Sequence, residues 1–232
     1  MQSPLDRRRI YFDHEPAYQK IAENLGTGWD DLFPGTNQGS YDALEEFLLS
    51  EHAPKRGDTV LDLGCGGGQA ALRVAKLGCR VLGVDFSETA IELARANARR
   101  ENLDVRFERG SALDLGPLGP FDLVVDNHLL HCIIGRDRER VLREIRRVLV
   151  PGGALFSDTM TCEDDFDPAY MKADPVTRVS QHGTRVWVSR SELEAELAAA
   201  GFHVTLLTLK KNEPKVGAMI TVVARRSADD GA

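Results

Sequence analysis

Cysteine is scarce and scattered in this 232-residue chain. Cys65, Cys79, Cys132 and Cys162 are its four, with no CxxC pair among them. That spacing argues against a disulfide framework in a chain apolar enough to build its own core, and a reducing cytoplasmic setting is expected. Massed positive charge is also missing: Lys and Arg number 29 against 36 Asp and Glu, a formal net charge of −7. A broad nucleic-acid or anionic-membrane surface rests on clustered Lys and Arg, so neither partner is expected. No apolar run reaches the roughly 18 residues of a membrane span. The opening MQSPLDRRRIYFDHE has arginines but no apolar stretch of a secretory signal. No internal repeat is visible. The expectation is a cytoplasmic monomer or weak homodimer.

A hydrophobic share of 42% and a charged share of 28% describe an ordinary globular protein. The length suits one hydrophobic core with modest additions. Residues 1–55 read as an N-terminal helical extension or lid. Pro16 begins a helix with Ala17, Ile21 and Leu25 on one face, stopping near Gly26 or Gly28. The aromatic loop GWDDLFPGTNQG follows, then a second helical pattern through Tyr41, Leu44 and Leu48.

From Thr59 strand and helix alternate, and residues 56–226 read as one α/β domain. TVLDL, RVLGV, VRFERG (105–110), FDLVVD (121–126) and ALFSDT are the strand candidates. Helices fall at Gly67 to Leu77, from about Ser87, and over RDRERVLREIRRVL, which Pro151-Gly152-Gly153 stops. Strands this apolar imply a mainly parallel sheet covered on both faces. Residues 160–187 break the rhythm and read as a substrate-side insertion. Ser189 or Ser191 caps a further helix, ELEAELAAAG, before two closing strands, FHVTLLTL and VGAMITVVAR, that suit an antiparallel pair. The final SADDGA is expected to fray.

The run VLDLGCGGG, residues 60–68, turns an apolar strand into four glycines and a cysteine. A strand, a glycine-rich turn and a helix bring a ligand close to backbone N–H groups. Asp85, at the end of the next strand, is placed to receive ribose hydroxyls. The dinucleotide fingerprint G-x-G-x-x-G fails, because the position of its third glycine is Gln69. Asp62 also puts a carboxylate where a pyrophosphate would need neutral or positive surroundings. The turn therefore favours a nucleoside carrying an amino acid over one carrying two phosphates.

With its other blocks, VLGVDFS (81–87), GSALDL (110–115), FDLVVDNHLLHCI (121–133) and RRVLVPGG (146–153), the chain resembles the class I S-adenosylmethionine-dependent methyltransferases over roughly residues 40 to 225. The resemblance implies a Rossmann-like three-layer sandwich, a seven-stranded, mostly parallel sheet with an antiparallel last strand, here with N-terminal helices added. It implies S-adenosylmethionine as cofactor, with Gly64, Cys65 and Gly66 as the backbone bed and Asp62 facing the methionine amino end. Asp85 would hold the ribose hydroxyls and Phe86 would pack on the adenine. Family members often carry Asp where this chain has Ser111, so adenine would rest on the Ala112 N–H and on stacking. Asn127, His128 and Leu129 would line the methionyl part. YFDHEPAYQKIAE and GWDDLFPG are similar to segments of bacterial small-molecule methyltransferases, which implies a small-molecule acceptor.

His131 is the candidate general base, since an imidazole can take a proton from a thiol, hydroxyl or amine; the alternative is a hydrogen-bonded structural histidine. Tyr11, Phe12, Tyr18, Trp29, Phe33 and Tyr41 either cover the sulfonium or pin two helices to the sheet. Tyr18 and Trp29 are the cofactor-contact candidates of that set. Met160, Tyr170, Arg178, His182 and Arg185 are candidates to face the acceptor, and Arg178 or Arg185 would suit a carboxylate on it. Glu163, Asp164, Asp165 and Asp167 would suit an amine or form a solvated loop. Cys132 and Cys162 with His128 and His131 do not make a metal site on this reading, because the cofactor should occupy that element. Two rivals remain open, an NAD(P)-dependent oxidoreductase and a non-catalytic cofactor-binding module.

Overall fold

The computed structural model describes residues 14–24, 26–32, 38–211 and 215–228. The expectations for Tyr11, Phe12, Leu25 and Phe33, and for the last four residues of the tail, lie outside these. Seven strands form one sheet: β1 (Thr59–Leu63), β2 (Arg80–Asp85), β3 (Arg106–Arg109), β4 (Phe121–Asn127), β5 (Leu149–Thr161), β6 (Phe202–Lys211) and β7 (Ala218–Arg226). Their order is β3-β2-β1-β4-β5-β7-β6. β1 through β5 are parallel, and β7 runs antiparallel to both β5 and β6. From β1 the chain winds one way to β2 and β3 and the other way to β4 and β5. That reversal opens a crevice at the carboxyl ends of β1 and β4.

Successive strand residues feed opposite cores, which is why the strands are apolar throughout rather than alternating. Val60, Val81, Leu123 and Val125 pack with the helices α3 (Gln38–Leu48), α4 (Gln69–Ala75) and α5 (Glu88–Glu101). Leu61, Leu82, Val84 and Val124 pack on the other face with α6 (Arg136–Val148) and α7 (Arg190–Ala199). Gly83 sits mid-strand in β2 because a Cβ there would stand 2.5 Å from the Phe107 ring and 3.0 Å from Cys65 Sγ. The aromatic ring fills the volume a side chain would claim.

Local signals set the helix ends. Ser87 Oγ accepts the Ala90 N–H at 2.9 Å. Of the two serines before α7, Ser189 is the cap, in a reciprocal box with Glu192. The helix ends before Pro151-Gly152-Gly153 as expected, but the strand starts earlier than ALFSDT. β5 begins at Leu149, directly after α6, and carries those three residues within it. The pairing to β4 jumps from Phe121↔Leu149 to Leu123↔Ala154, so an irregularity takes up the extra length.

The N-terminal helices are α1 (His14–Glu23) and the short α2 (Trp29–Leu32). α1 starts two residues before Pro16, whose missing N–H costs nothing in a first turn. Thr89 donates to Glu15 at 2.5 Å. Buried Asn97 donates to both Thr27 O (2.7 Å) and Gly67 O (2.8 Å), tying the loop after α1 to the glycine turn. Residues 162–189 hold no helix; single bridges Val179↔Val186 and Thr161↔Val188 fasten them.

Candidate functional site

The turn after β1 is built from left-handed backbone, with φ of +72° at Gly64, +51° at Gly66 and +81° at Gly68. A Cβ on Gly66 would collide with the Tyr18 hydroxyl, and one on Gly64 would stand 3.0 Å from Leu129. Both conformation and space therefore require glycine. Gly64 and Cys65 N–H groups donate to Val84 O at 2.8 and 3.1 Å, locking the turn to β2. Asp85 braces it from the side: one carboxylate oxygen accepts the Gly66 N–H at 2.8 Å, the other the Ser87 N–H at 2.9 Å. Asp62, 2% exposed, accepts the Ala71 N–H at 2.9 Å.

Burial controls the charge of these groups. Desolvation pushes the Asp62 carboxyl up to about 7, with Asp85 and Asp126 adding repulsion and the Ala71 N–H pulling back. Asp85 is raised as well, chiefly by desolvation, against the bonds from Ser87 and Gly66. A neighbouring cation would favour the charged form of both.

Beyond β4 the wall changes character. Buried Asp126 accepts the N–H groups of Leu129 (2.6 Å) and Leu130 (3.2 Å) and the Ser157 hydroxyl (2.5 Å). Desolvation raises it to about 6. This clasp holds a tight turn in which His128 takes φ +77°, a strained value for a histidine. His128 Nε2 lies 3.4 Å from Asp158 Oδ2, and Thr221 fixes the other oxygen at 2.6 Å. His131 sits one short helical turn on, its ring 5.1 Å from that of His128 and its Nδ1 3.4 Å from Thr159 Oγ1. Burial, then the charges of His128 and Arg185, hold its imidazole well below the ordinary histidine range, so it is neutral.

These two walls enclose one cavity of about 880 Å³, within the size range of small-molecule sites. Asp62, Gly64, Cys65, Gly66, Asp85, Phe86, Ser111, Ala112, Asn127, His128, Leu129, His131, Tyr18 and Trp29 all line it. Of the acceptor-side candidates, Met160 and Arg185 line it too. Tyr170 is exposed, Arg178 is held by Glu192 at 2.5 and 2.7 Å, and neither they nor His182 reach the wall. In the acidic loop Asp164 pairs with Lys211 at 2.9 Å and Glu163 accepts the Arg190 N–H at 2.7 Å. Among the described residues no group of His, Cys, Asp and Glu gathers to hold a metal. Sequence reading missed His14, Glu15 and Thr184, which also line the cavity. His14 and Glu15 open α1 and carry no periodic signal; Thr184 lies in a segment without one.

An open α/β sheet with an acidic, glycine-floored crevice suits a nucleoside without a pyrophosphate. Asp62 and Asp85 flank the bed, and among the described lining residues Arg185 is the one Lys or Arg. A cavity of this size with a carboxylate at each of two adjacent strand ends fits a nucleoside that bears a positively charged amino acid.

Known proteins give the same answer. A family model described as a methyltransferase domain matches residues 60–153. The chain is 35% identical over 192 residues to 27-O-demethylrifamycin SV methyltransferase of Amycolatopsis mediterranei, covering 80% of this chain and 68% of that one. It is 31% identical over 159 residues to the ubiquinone biosynthesis O-methyltransferase of Azorhizobium caulinodans, covering 66% of this chain and 62% of the relative. The fold superposes with a TM-score of 0.72 on Burkholderia thailandensis 1,6-didemethyltoxoflavin-N1-methyltransferase, solved with its namesake ligand and S-adenosylhomocysteine; identity is 21%, over 98% of this chain and 92% of that one. The chain belongs to the class I S-adenosylmethionine-dependent methyltransferases, and S-adenosylmethionine is its cofactor. Among the described residues no helix is long and apolar enough to cross a membrane.

Proposed function

We propose that this protein methylates a small molecule, and the cavity with opposed acidic and histidine-bearing walls is the observation that carries the reading. When bound, S-adenosylmethionine supplies a methyl already activated on a sulfonium, open to in-line attack by an acceptor atom. Asp85 receives the ribose hydroxyls on the lone pairs left free beside the Gly66 and Ser87 N–H groups it accepts, and Asp62 faces the amino end. Gly64, Cys65 and Gly66 form the floor. Phe86, half exposed at the rim, packs on adenine beside Ser111 and Ala112, and Asn127 and Leu129 wall the methionyl part. Tyr18 and Trp29, with ring centroids 6.0 Å apart, bring ring faces toward the sulfonium charge. Residues 1–55 act as the lid of the domain at 56–226.

Alignment and exclusion of water do most of the work in such a transfer. A proton acceptor helps when the nucleophile is a hydroxyl. His131, neutral and buried, serves best as a hydrogen-bond acceptor that aims the nucleophile. His128 is the stronger candidate base, since the Asp158 carboxylate, 3.4 Å from its Nε2 without a hydrogen bond, can stabilise charge that develops on the ring. The relatives carry names of O-methyltransferase and N-methyltransferase activities on small compounds, so hydroxyl and ring-nitrogen acceptors come first. An oxidoreductase is disfavoured by Asp62 and by the lack of a cationic bed among the described lining residues. Calorimetry with S-adenosylmethionine and NAD tests the donor: binding of NAD alone would overturn it. A labelled-methyl screen over hydroxyls, amines, thiols and carboxylates then finds the acceptor atom, and incorporation only into a macromolecule would refute a small-molecule substrate.

A further inference from the structure

We propose that the methyl acceptor carries an anionic group, a carboxylate, and that Arg185 is its anchor. The inference rests on the methyltransferase reading and extends it to the substrate class. Arg138 and Arg185 both act on buried His131, and Arg178 shares the irregular segment of Arg185; of these three, two are already committed. Arg138 forks onto Glu196 at 2.8 and 2.7 Å, and Arg178 onto Glu192. Arg185 has no carboxylate within ion-pair distance among the described residues, and its Nε is buried without a hydrogen-bond partner. Its backbone is pinned on both sides: its N–H donates to Ser180 Oγ at 3.1 Å, its carbonyl accepts the Ser180 N–H at 2.8 Å, and the next N–H donates to His131 O at 2.8 Å. Arg185 is half-buried at the cavity wall, with its Nε shielded from water and unpaired, and a ligand anion would satisfy it through charge-assisted, two-pronged hydrogen bonds.

Topology assigns the anion to the acceptor. The carboxylates of the cavity are Asp62 and Asp85 at the ends of β1 and β2 and Glu15, bonded to Thr89 in the helix after β2. Arg185 is fastened instead to the turn that follows β4, away from β2. The cavity is thus acidic toward the donor and cationic toward the opposite end. Trp29, flanked by His14 at 5.7 Å and Tyr18 at 6.0 Å between ring centroids, adds an aromatic wall. Together they suit a planar aromatic acid. The competing anion is the donor's own methionyl carboxylate, and the same experiment separates the two.

The protein saturated with S-adenosylhomocysteine is titrated with benzoate and cinnamate and with their uncharged amides, using the unaltered chain, Arg185→Gln and Arg185→Lys. The expected result is about tenfold tighter binding of the acids than of the amides, the scale of a charge-assisted pair. Arg185→Gln should erase that preference and Arg185→Lys keep part of it, with affinity for S-adenosylhomocysteine unchanged in both, which also reports that the variants fold. Equal binding of acids and amides by the unaltered chain, or a preference that survives Arg185→Gln, overturns the proposal. So does a tenfold loss of S-adenosylhomocysteine affinity in Arg185→Gln, which would place the guanidinium on the donor. If the unaltered chain does not bind S-adenosylhomocysteine at all, the methyltransferase reading fails first, before any acid is added, and this proposal falls with it.

Discussion

At the ends of β1 and β2 the cavity wall is mostly backbone, held by N–H groups of Gly64, Cys65, Gly66 and Ser87 and braced by two carboxylates. At the ends of β4 and β5 it is side chains: two histidines, Met160 and an arginine brought in from the 162–189 segment. A backbone wall depends on φ values and on missing Cβ atoms, so it suits a ligand that never changes. A wall of side chains can be altered residue by residue without disturbing the sheet. On the proposed placement of the two substrates, the donor half is the fixed part of this enzyme and the acceptor half the adjustable part.

The sharpest way to break this contrast is Asp85→Ala. It removes the brace of the turn and the proposed ribose contact together, so affinity for S-adenosylhomocysteine should fall by about 100-fold or more, the scale of two charge-assisted hydrogen bonds. Calorimetry showing unchanged affinity would detach Asp85 from the donor. On the other wall, His128→Asn keeps a residue type that tolerates the left-handed backbone while deleting the imidazole. Turnover should drop about 100-fold with donor affinity nearly intact, whereas His131→Asn should cost about tenfold or less. The reverse order in single-turnover rates would return the base role to His131.

A smaller effect lies in pH. The Asp62 carboxyl is raised by burial to about 7 in the folded protein. Its proton is therefore held more tightly folded than unfolded, so its contribution to stability is complete below the unfolded carboxyl range and is lost as pH rises through about 7. A ligand amino group needs the ionised form. Donor affinity should accordingly rise, by up to about tenfold, from pH 6 to pH 8. Isothermal titration at the two pH values checks this, and Asp62→Asn should flatten the profile.

The contrast also explains what could be read from sequence. The places of the strands along the chain, the glycine turn, Asp62, Asp85 and the Ser87 cap were legible, because each leaves a local mark: an apolar run, a glycine spacing, a residue at a strand end. The adenine-side and histidine-side residues were found through resemblance, and all of them reach the cavity. What stayed illegible depends on long-range placement. Nothing local separates Arg185 from Arg178, seven positions earlier in the same irregular segment; only the fold pairs one with Glu192 and turns the other to the cavity. The Pro-Gly-Gly stretch follows the helix that ends at Val148, but the strand expected after it begins before it, at Leu149, and the stretch forms the irregularity between the pairs Phe121↔Leu149 and Leu123↔Ala154.

The contact between Gly83 and the Phe107 ring has a meaning for descent. The two residues share one volume beneath the donor turn, with Cys65 as its third wall. A lineage that keeps phenylalanine at 107 is confined to glycine at 83. One that shrinks the ring opens room for alanine, or must fill the hole. The pair should drift together across relatives, marking inheritance in a place that never meets either substrate.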